Sequence, residues 1–263
     1  MPELPEVEGA VRRLRTAVEG RTIVGARVMH PSLRARIPSR HARSLVGARI
    51  ARVERRGKHQ LLHLDDGRVV HAHFRMSGDW HVDRDNGPEP RFARAVVELD
   101  DGARIWLVDP RALSTIDVRA AAPEVQLDLG PDATDPALGP GELARALARR
   151  RGAIKPALLD QRVVAGIGNI YAAESLWRAR IDPRTPAAAL SHGELKRLLA
   201  AVRHVMARAL EGRIRFAVYG REGEPCRRCR TPIARVVQAG RSTYFCPRCQ
   251  RPQSSASSSA PLM

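Results

Sequence analysis

Apolar side chains recur at Val7, Ala10, Val11, Leu14, Ala17 and Val18, the i, i+3/i+4 spacing of a helix with one buried face, and Gly20 supplies its stop. From Thr22 to Val118 the period changes. Short β-branched runs take over, TIVGARVM, ARIARVERR, HQLLHL, RVVHAHF, RAVVEL and ARIWLV. Two pairs of them are joined by Asp65-Asp66-Gly67 and Asp100-Asp101-Gly102, hairpin turns in which glycine accepts a positive φ. The pattern predicts, for residues 1–118, an N-terminal helix with an antiparallel β-sandwich. Residues 119–141 are rich in Pro, Gly and Asp without sustained periodicity and read as an interdomain linker. Helical periods return in ELARALARRR, KPALLDQRVV, IYAAESLWRA and SHGELKRLLAAVRHVMARALEG. The last opens on a capping box, Ser191 with Glu194, and ends at Gly212. Residues 142–218 are therefore expected to form a helical domain and 219–251 a small cysteine-bearing module. The polar, low-complexity stretch 252–263 is expected to be disordered. The fold class is α+β in two domains.

A chain of 263 residues is long enough to bury a core without a disulfide framework. No apolar run approaches the ~18–20 residues of a membrane span, and the opening MPELPEVEGA lacks a basic-then-apolar signal pattern. The reading is a soluble, intracellular protein with no membrane partner. Charge narrows it further: 45 Lys plus Arg against 28 Asp plus Glu give +17. That excess costs self-repulsion in the compact state and points to a polyanionic partner, most commonly nucleic acid. Only Lys58, Lys155 and Lys196 are lysines, so an arginine- and alanine-rich genomic composition remains a competing source of the charge.

All four cysteines fall in C-x2-C-x16-C-x2-C, as Cys226, Cys229, Cys246 and Cys249. Each CxxC turn offers two thiolates, and together they close a tetrahedral, structural Zn²⁺ site with no open position for catalysis. Two disulfides are disfavoured in an intracellular chain. The intervening IARVVQAGRSTYF reads as a hairpin with Arg241 at its tip, a rigid delivery of a cation toward a DNA groove.

Amine nucleophiles are scarce: three lysines and the chain terminus. Pro2 follows Met1, and removal of the initiator leaves a secondary amine whose pKa of ~7.7–8.0 gives some free base at neutral pH. Attack by that amine on an aldehyde-level carbon forms an iminium, an electron sink that eases loss of a neighbouring proton. Glu3 and Glu6 bracket the amine and suit general-acid and cation-stabilising work. Pro5 with Glu6 and Glu8 is also ordinary helix-start chemistry, so this fragment alone supports either reading.

MPELPEVE at the terminus, GIGNIYAAESLW in the helical part and VYGREGEPC with the second CxxC together resemble the formamidopyrimidine-DNA glycosylase family of the wider endonuclease VIII superfamily. The resemblance spans residues 1–251. It implies a bifunctional DNA glycosylase and AP lyase of base-excision repair, a monomer clamping damaged double-stranded DNA between its two domains in the bacterial cytoplasm, at the nucleoid. By the same resemblance Pro2 is the nucleophile, Glu3 the acid on the sugar ring, Glu6 a second active-site carboxylate and Lys58 a contact to phosphate beside the lesion. Lys155 and His73 match further DNA-binding positions. Met76, in HFRMSG, and Arg111 with Leu113, in DPRAL, match the residues that fill the void left by a flipped base, with Leu113 standing where an aromatic is usual. QRVVAGIGNIYAAESLW resembles a helix-two-turn-helix, in which Asn169 caps the second helix and faces a phosphate. A dinucleotide-binding reading of GIGNIY fails, because Tyr171 stands where a third glycine belongs and no βαβ unit surrounds it.

The chain departs from that pattern between the long helix and VYGR. Only RIRFA separates Gly212 from Val218, where such glycosylases carry an extended loop that caps a flipped 8-oxoguanine. The expected preference therefore leans to formamidopyrimidines, hydantoins, oxidised pyrimidines or abasic sites. The alternative is an AP lyase or damage-binding protein with weak or no base excision.

Overall fold

The computed structural model describes residues 1–34, 39–120 and 127–251; the tail expected to be disordered, 252–263, lies outside the described residues. Two units divide the chain, Met1–Asp128 and a second that begins at Leu129.

In the first unit the opening period forms α1 (Leu4–Val18), which buries Leu4, Val7, Val11, Leu14 and Val18. Gly20, at φ 81°, turns the chain out of it. There follow β1 (Ile23–Val28), the short helices α2 (Pro31–Arg34) and α3 (Ser39–Arg43), and then β2 (Ile50–Arg56), β3 (His59–Leu64), β4 (Val69–His73), β5 (Asp79–Asp83), β6 (Ala93–Leu99), β7 (Arg104–Val108) and β8 (Thr115–Arg119). These strands make two antiparallel sheets of order β1-β6-β7-β5 and β2-β3-β4-β8. Both predicted turns close, with Gly67 at φ 85° and Gly102 at φ 83°. The core gathers Val7, Val11 and Leu14 with Ile50, Val53, Leu62 and Val70 of one sheet and Trp80, Leu99, Ile105 and Leu107 of the other. This is the expected helix and β-sandwich. β5 and β8 carry no apolar run in the sequence reading: in DWHVD and TIDVR only Trp80 and Ile116 are buried apolar residues, and charged neighbours hide the alternation.

The second unit opens inside the predicted linker. Gly130 N–H donates to Gln161 O at 2.9 Å, and Ala133 and Ala165 exchange bonds with Ala165 O and Pro131 O, both at 2.9 Å. A Cβ at Gly130 would overlap the carbonyls of Arg162 and Val163, so the glycine there serves close backbone packing and not flexibility. α4 (Pro140–Leu147) and α5 (Ile154–Leu159) are shorter than their sequence periods. Asp160 ends α5, leaving the helical region at ψ 112° and accepting from Arg162 N–H at 3.0 Å, the local turn that aspartate favours. α6 (Asn169–Ala179), a 3-10 turn (Ala187–Ala189), α7 (His192–Leu210), β9 (Ala234–Gln238) and β10 (Arg241–Phe245) complete it. The capping box forms as expected: Ser191 Oγ accepts from Glu194 N–H at 3.3 Å and Glu194 Oε2 accepts from Ser191 N–H at 2.9 Å. Among the described residues no helix is long and apolar enough to cross a membrane.

Candidate functional site

Pro2 lies half-buried immediately before α1, and Glu3 is the residue at its N-cap. Glu6 Oε2 accepts from Glu3 N–H at 2.9 Å, and the Glu3 side chain returns a bond to the Glu6 N–H. The reciprocal box holds both carboxylates at the first turn of the helix, one and four residues after Pro2. Glu3 is buried, at 1% exposure, whereas Glu6 is exposed, so the two acids meet different environments.

Lys58 stands with Gly57 in the two-residue turn between β2 and β3, and Gly57 supplies the positive φ, 57°, that such a turn requires. The hairpin is strapped to α1. Glu8 accepts from Arg55 Nε at 2.8 Å, and Arg55 Nη1 donates to Gly57 O at 3.0 Å. Arg55 and Glu8 side chains are only 10% and 15% exposed. Burial alone would raise the Glu8 carboxyl, but hydrogen bonds and charge from Arg55 and Arg12 outweigh it and hold the carboxyl below its usual range. No local pattern in the sequence announces this strap: from its neighbours Glu8 is expected only to complement the helix dipole. It fixes Lys58 relative to the helix that carries Pro2.

His73 ends β4 opposite His59 of β3. Its Nδ1 accepts from Arg75 N–H at 2.9 Å. Burial, with His59, Arg75 and Lys58 adding repulsion, lowers its pKa to about 3. The ring is therefore neutral, with its proton on Nε2 because Nδ1 accepts. His59 Nδ1 meets His71 Nε2 at 2.8 Å, and burial with the charges of His71, Arg75 and Arg119 lowers His59 to about 4.

Met76 and Leu113 are 38% and 45% exposed, and Arg111 is exposed beside them in chain order. Met76 is not a core residue. Both loops converge on one buried carboxylate, Asp109, which the sequence reading did not single out.

In the second unit two residues expected to bind DNA, Asn169 and Lys155, are bonded to each other and to β10. Asn169 is the first residue of α6, and Gly168 is the N-cap; the expected Asn169 cap is thus replaced by a glycine cap. The Asn169 side chain instead donates from Nδ2 to Ser242 O at 3.1 Å and accepts from Lys155 Nζ at 2.6 Å. Lys155 is fully buried. Its ammonium also donates to Ser242 O at 3.0 Å and Thr243 Oγ1 at 2.8 Å. It holds α6 to β10 from the interior.

Arg241 opens β10 after a two-residue turn in which Ala239 and Gly240 have φ 48° and 71°, the geometry that matches a hairpin's twist. Its side chain is exposed, and so is Val237, at 66%. The four cysteine sulfurs lie within 4.8 Å of one another, with pairs at 3.4 to 4.0 Å. Zn–S bonds of about 2.3 Å in a tetrahedron put sulfurs roughly 3.8 Å apart, so the four thiolates fit one structural Zn²⁺. Arg228 ties the first knuckle to α6, donating to Trp177 O at 2.7 Å and lying 3.8 Å from the centre of the Trp177 ring. Gln250, fully buried, ties the second by donating to Ile181 O at 2.9 Å while accepting from Cys246 N–H.

The short connection after α7 is also anchored. Buried Glu174 accepts from the N–H groups of Ala217, Val218 and Tyr219 at 2.8 to 2.9 Å.

Three family models match the chain: the formamidopyrimidine-DNA glycosylase N-terminal domain over residues 1–116, its H2TH domain over 129–218, and the zinc finger found in FPG and IleRS over 223–252. Formamidopyrimidine-DNA glycosylases of Chloroflexus aurantiacus and Acidiphilium cryptum are 40% and 39% identical to it, over 95% of this chain and 98% and 100% of theirs. Among solved structures, Lactococcus lactis formamidopyrimidine-DNA glycosylase non-covalently bound to DNA containing an AP site aligns at TM-score 0.86 and 27% identity, over 95% of this chain and 100% of that one. MutM in complex with DNA containing carbocyclic 8-oxoguanine aligns at TM-score 0.87 and 29% identity with the same coverage.

Proposed function

The chain belongs to the formamidopyrimidine-DNA glycosylase family, and on that premise we propose that Pro2, freed of Met1, is the nucleophile of a DNA glycosylase and AP lyase acting on damaged duplex DNA. The observation that carries the assignment is the first turn of α1, where two carboxylates of different exposure follow directly on Pro2 and Glu8–Arg55 straps the Lys58 hairpin to the same helix. The amine attacks the sugar C1′ and the base leaves with the glycosidic electron pair; the nitrogen then gives up its proton, and its lone pair breaks the C1′–O4′ bond as buried Glu3 protonates the ring oxygen, leaving an open-chain iminium. That iminium acidifies the C2′ proton, and loss of the proton expels the 3′ phosphate. A second elimination expels the 5′ phosphate. Glu6 steadies the cation, and Lys58 and His73 hold phosphate beside the lesion. Met76, Arg111 and Leu113 fill the void left in the stack, because extruding a base costs a few kcal/mol that inserted side chains partly restore. Asn169 and Arg241 hold the backbone from the second unit. The protein works as a monomer in the bacterial cytoplasm, at the nucleoid.

The Arg213–Ala217 connection favours ring-opened purines, hydantoins, oxidised pyrimidines and abasic sites over 8-oxoguanine, because five residues tethered at Glu174 leave little chain to fold over a base. Borohydride trapping on duplexes bearing an abasic site, 8-oxoguanine, formamidopyrimidine or 5-hydroxyuracil, with peptide mapping, tests both claims. The expected adduct is on Pro2, with 8-oxoguanine opposite cytosine the poorest of the lesions. Trapping on the abasic duplex alone would leave an AP lyase without base excision. An adduct on a lysine would overturn the Pro2 assignment.

A further inference from the structure

Two separate loops present the residues assigned to the void, one following β4 and one following β7, and nothing in chain order holds them together. The side chain that links them is Asp109, the first residue of the second loop, which has no solvent exposure. Its Oδ1 accepts from Ser77 Oγ at 2.5 Å and from Arg111 N–H at 3.1 Å; its Oδ2 accepts from Leu113 N–H, Ser114 N–H and Ser114 Oγ, each at 2.7 Å. Ser114 Oγ reaches back across the gap to Phe74 O at 3.3 Å. A Cβ at Gly78 would overlap that hydroxyl, so glycine is what lets the loops approach. Arg75 and Ala112, one in each loop, are held at φ 56° and 53°, left-handed conformations that cost energy for any residue with a Cβ and persist only where surroundings over-determine them.

We propose that Asp109 is the positioning residue of the wedge, a carboxylate clamp that makes Met76, Arg111 and Leu113 enter the stack as one rigid unit and so sets opposite-base discrimination. The inference rests on the void-filling reading of those three residues. Its physical basis is the bonding of one buried charge: four donors from the loop that carries Asp109 and one, Ser77 Oγ, from the other loop converge on it, and hydrogen bonds to a charged acceptor are worth more than neutral ones. Burial alone would raise the Asp109 carboxyl, yet the Ser114, Ser77 and backbone donors hold it at about 2, so the clamp stays ionised wherever the protein is folded. The inward role also explains why Met76 and Leu113 stand exposed: the clamp fixes their backbone, and no packing need hold their side chains.

Asp109→Asn keeps the volume and replaces an acceptor by a donor that faces N–H or O–H groups. Ser77→Ala cuts the hydroxyl link and leaves the 109–114 loop bonded to Asp109. On a duplex abasic substrate kcat/KM should fall about tenfold for Asp109→Asn and about threefold for Ser77→Ala, the first being larger because it disturbs bonds in both loops and the second only the bond between them. The spread of rates among the four opposite bases should narrow. Cleavage of the same abasic site in a single strand, where there is no opposite base and no void, should be unchanged, because Pro2 and its carboxylates are untouched. In a Met76→Ala/Arg111→Ala/Leu113→Ala background, Asp109→Asn should cost nothing further. Equal loss on single strand and duplex, or an unchanged opposite-base spread in both variants, would overturn the clamp while leaving the wedge in place. If the triple variant itself keeps full duplex activity and preference, the wedge reading fails and takes this inference with it.

Discussion

Lys155→Met separates two roles that a lysine in a DNA-binding protein can play. The ammonium sits at 0% exposure with Asn169 Oδ1, Ser242 O and Thr243 Oγ1 at 2.6, 3.0 and 2.8 Å. Methionine keeps the length and removes the donors. Ser242 O still accepts from Asn169 Nδ2, so two acceptors lose a partner, at ~1–3 kcal/mol each. Release from burying a charge offsets part of that, and the net loss is about 3 kcal/mol from the second unit. That is affordable within a typical stability of ~5–15 kcal/mol, so the variant stays folded near 25 °C. Asn169 and the hairpin bearing Arg241 then lose their common anchor. The expected drop in duplex affinity is roughly tenfold, near 1.4 kcal/mol, and it should be the same at every salt concentration. A lysine on a phosphate behaves otherwise: its removal lowers the slope of log K against log salt by about 0.9. Anisotropy titration of a duplex carrying a stable abasic analogue, from about 50 to 300 mM salt, paired with urea unfolding, reads both. An unchanged unfolding midpoint with a slope reduced by about one would refute the interior assignment and restore Lys155 to the DNA.

Arg241→Ala is the complementary case. Its side chain is exposed at a hairpin tip, so the slope should fall by about 0.9 with no change in unfolding midpoint; an unchanged slope would remove Arg241 from the phosphate contacts. Acid should destabilise the first unit through its histidines. His59 and His73 are held neutral, at about 4 and about 3, whereas an unfolded histidine titrates near 6.5. Below that pH the unfolded chain binds more protons, so stability falls with falling pH by up to about 1.4 kcal/mol per unit for each histidine, until the folded value is reached. Urea midpoints measured from about pH 7 to about pH 4 should show that fall, and His59→Gln should flatten it by one histidine's share. A pH-independent midpoint would contradict the burial argument.

What the sequence reveals and what it hides follow from the range of the interactions concerned. The α1 period, the two Asp-Asp-Gly turns, the Ser191–Glu194 box and the paired CxxC turns are set by residues within a few positions of one another, and each forms where the pattern places it. β5 and β8 escape because their burial depends on a partner strand and only one apolar residue in each is fully covered. The linker escapes in part for the opposite reason. Its Pro and Gly residues look like flexible chain until Gly130 is seen against the carbonyls of Arg162 and Val163.

The site divides along the same line. Pro2, Glu3, Glu6 and the cysteines are local motifs, whereas the groups that hold the site in shape are separated by long stretches of chain. Glu8 meets Arg55 across 47 residues, Lys155 meets Thr243 across 88, Glu174 meets Val218 across 44, and Ser77 meets Asp109 across 32. Each of these pairs couples a charged group with little solvent exposure to a donor or acceptor that only folding supplies. Such a charge is costly to leave unpartnered, so its presence in a sequence is a signal of a kind. Lys155 in GAIKPALL sits among apolar residues where a surface charge has no local reason to be, and a search for charges misplaced in this sense flags it without saying which partner it finds; Asp109 in DPRAL reads instead as an ordinary turn aspartate. The two also differ in what they hold: Asp109 joins the loop of Met76 to that of Arg111 and Leu113, and Lys155 joins the start of α6 to the hairpin that bears Arg241. On the assignments proposed above, replacing a residue that touches DNA removes one contact, whereas replacing the buried charge loosens every contact it aligns. The buried variants should therefore lose more activity per substitution than Met76→Ala or Arg241→Ala do alone.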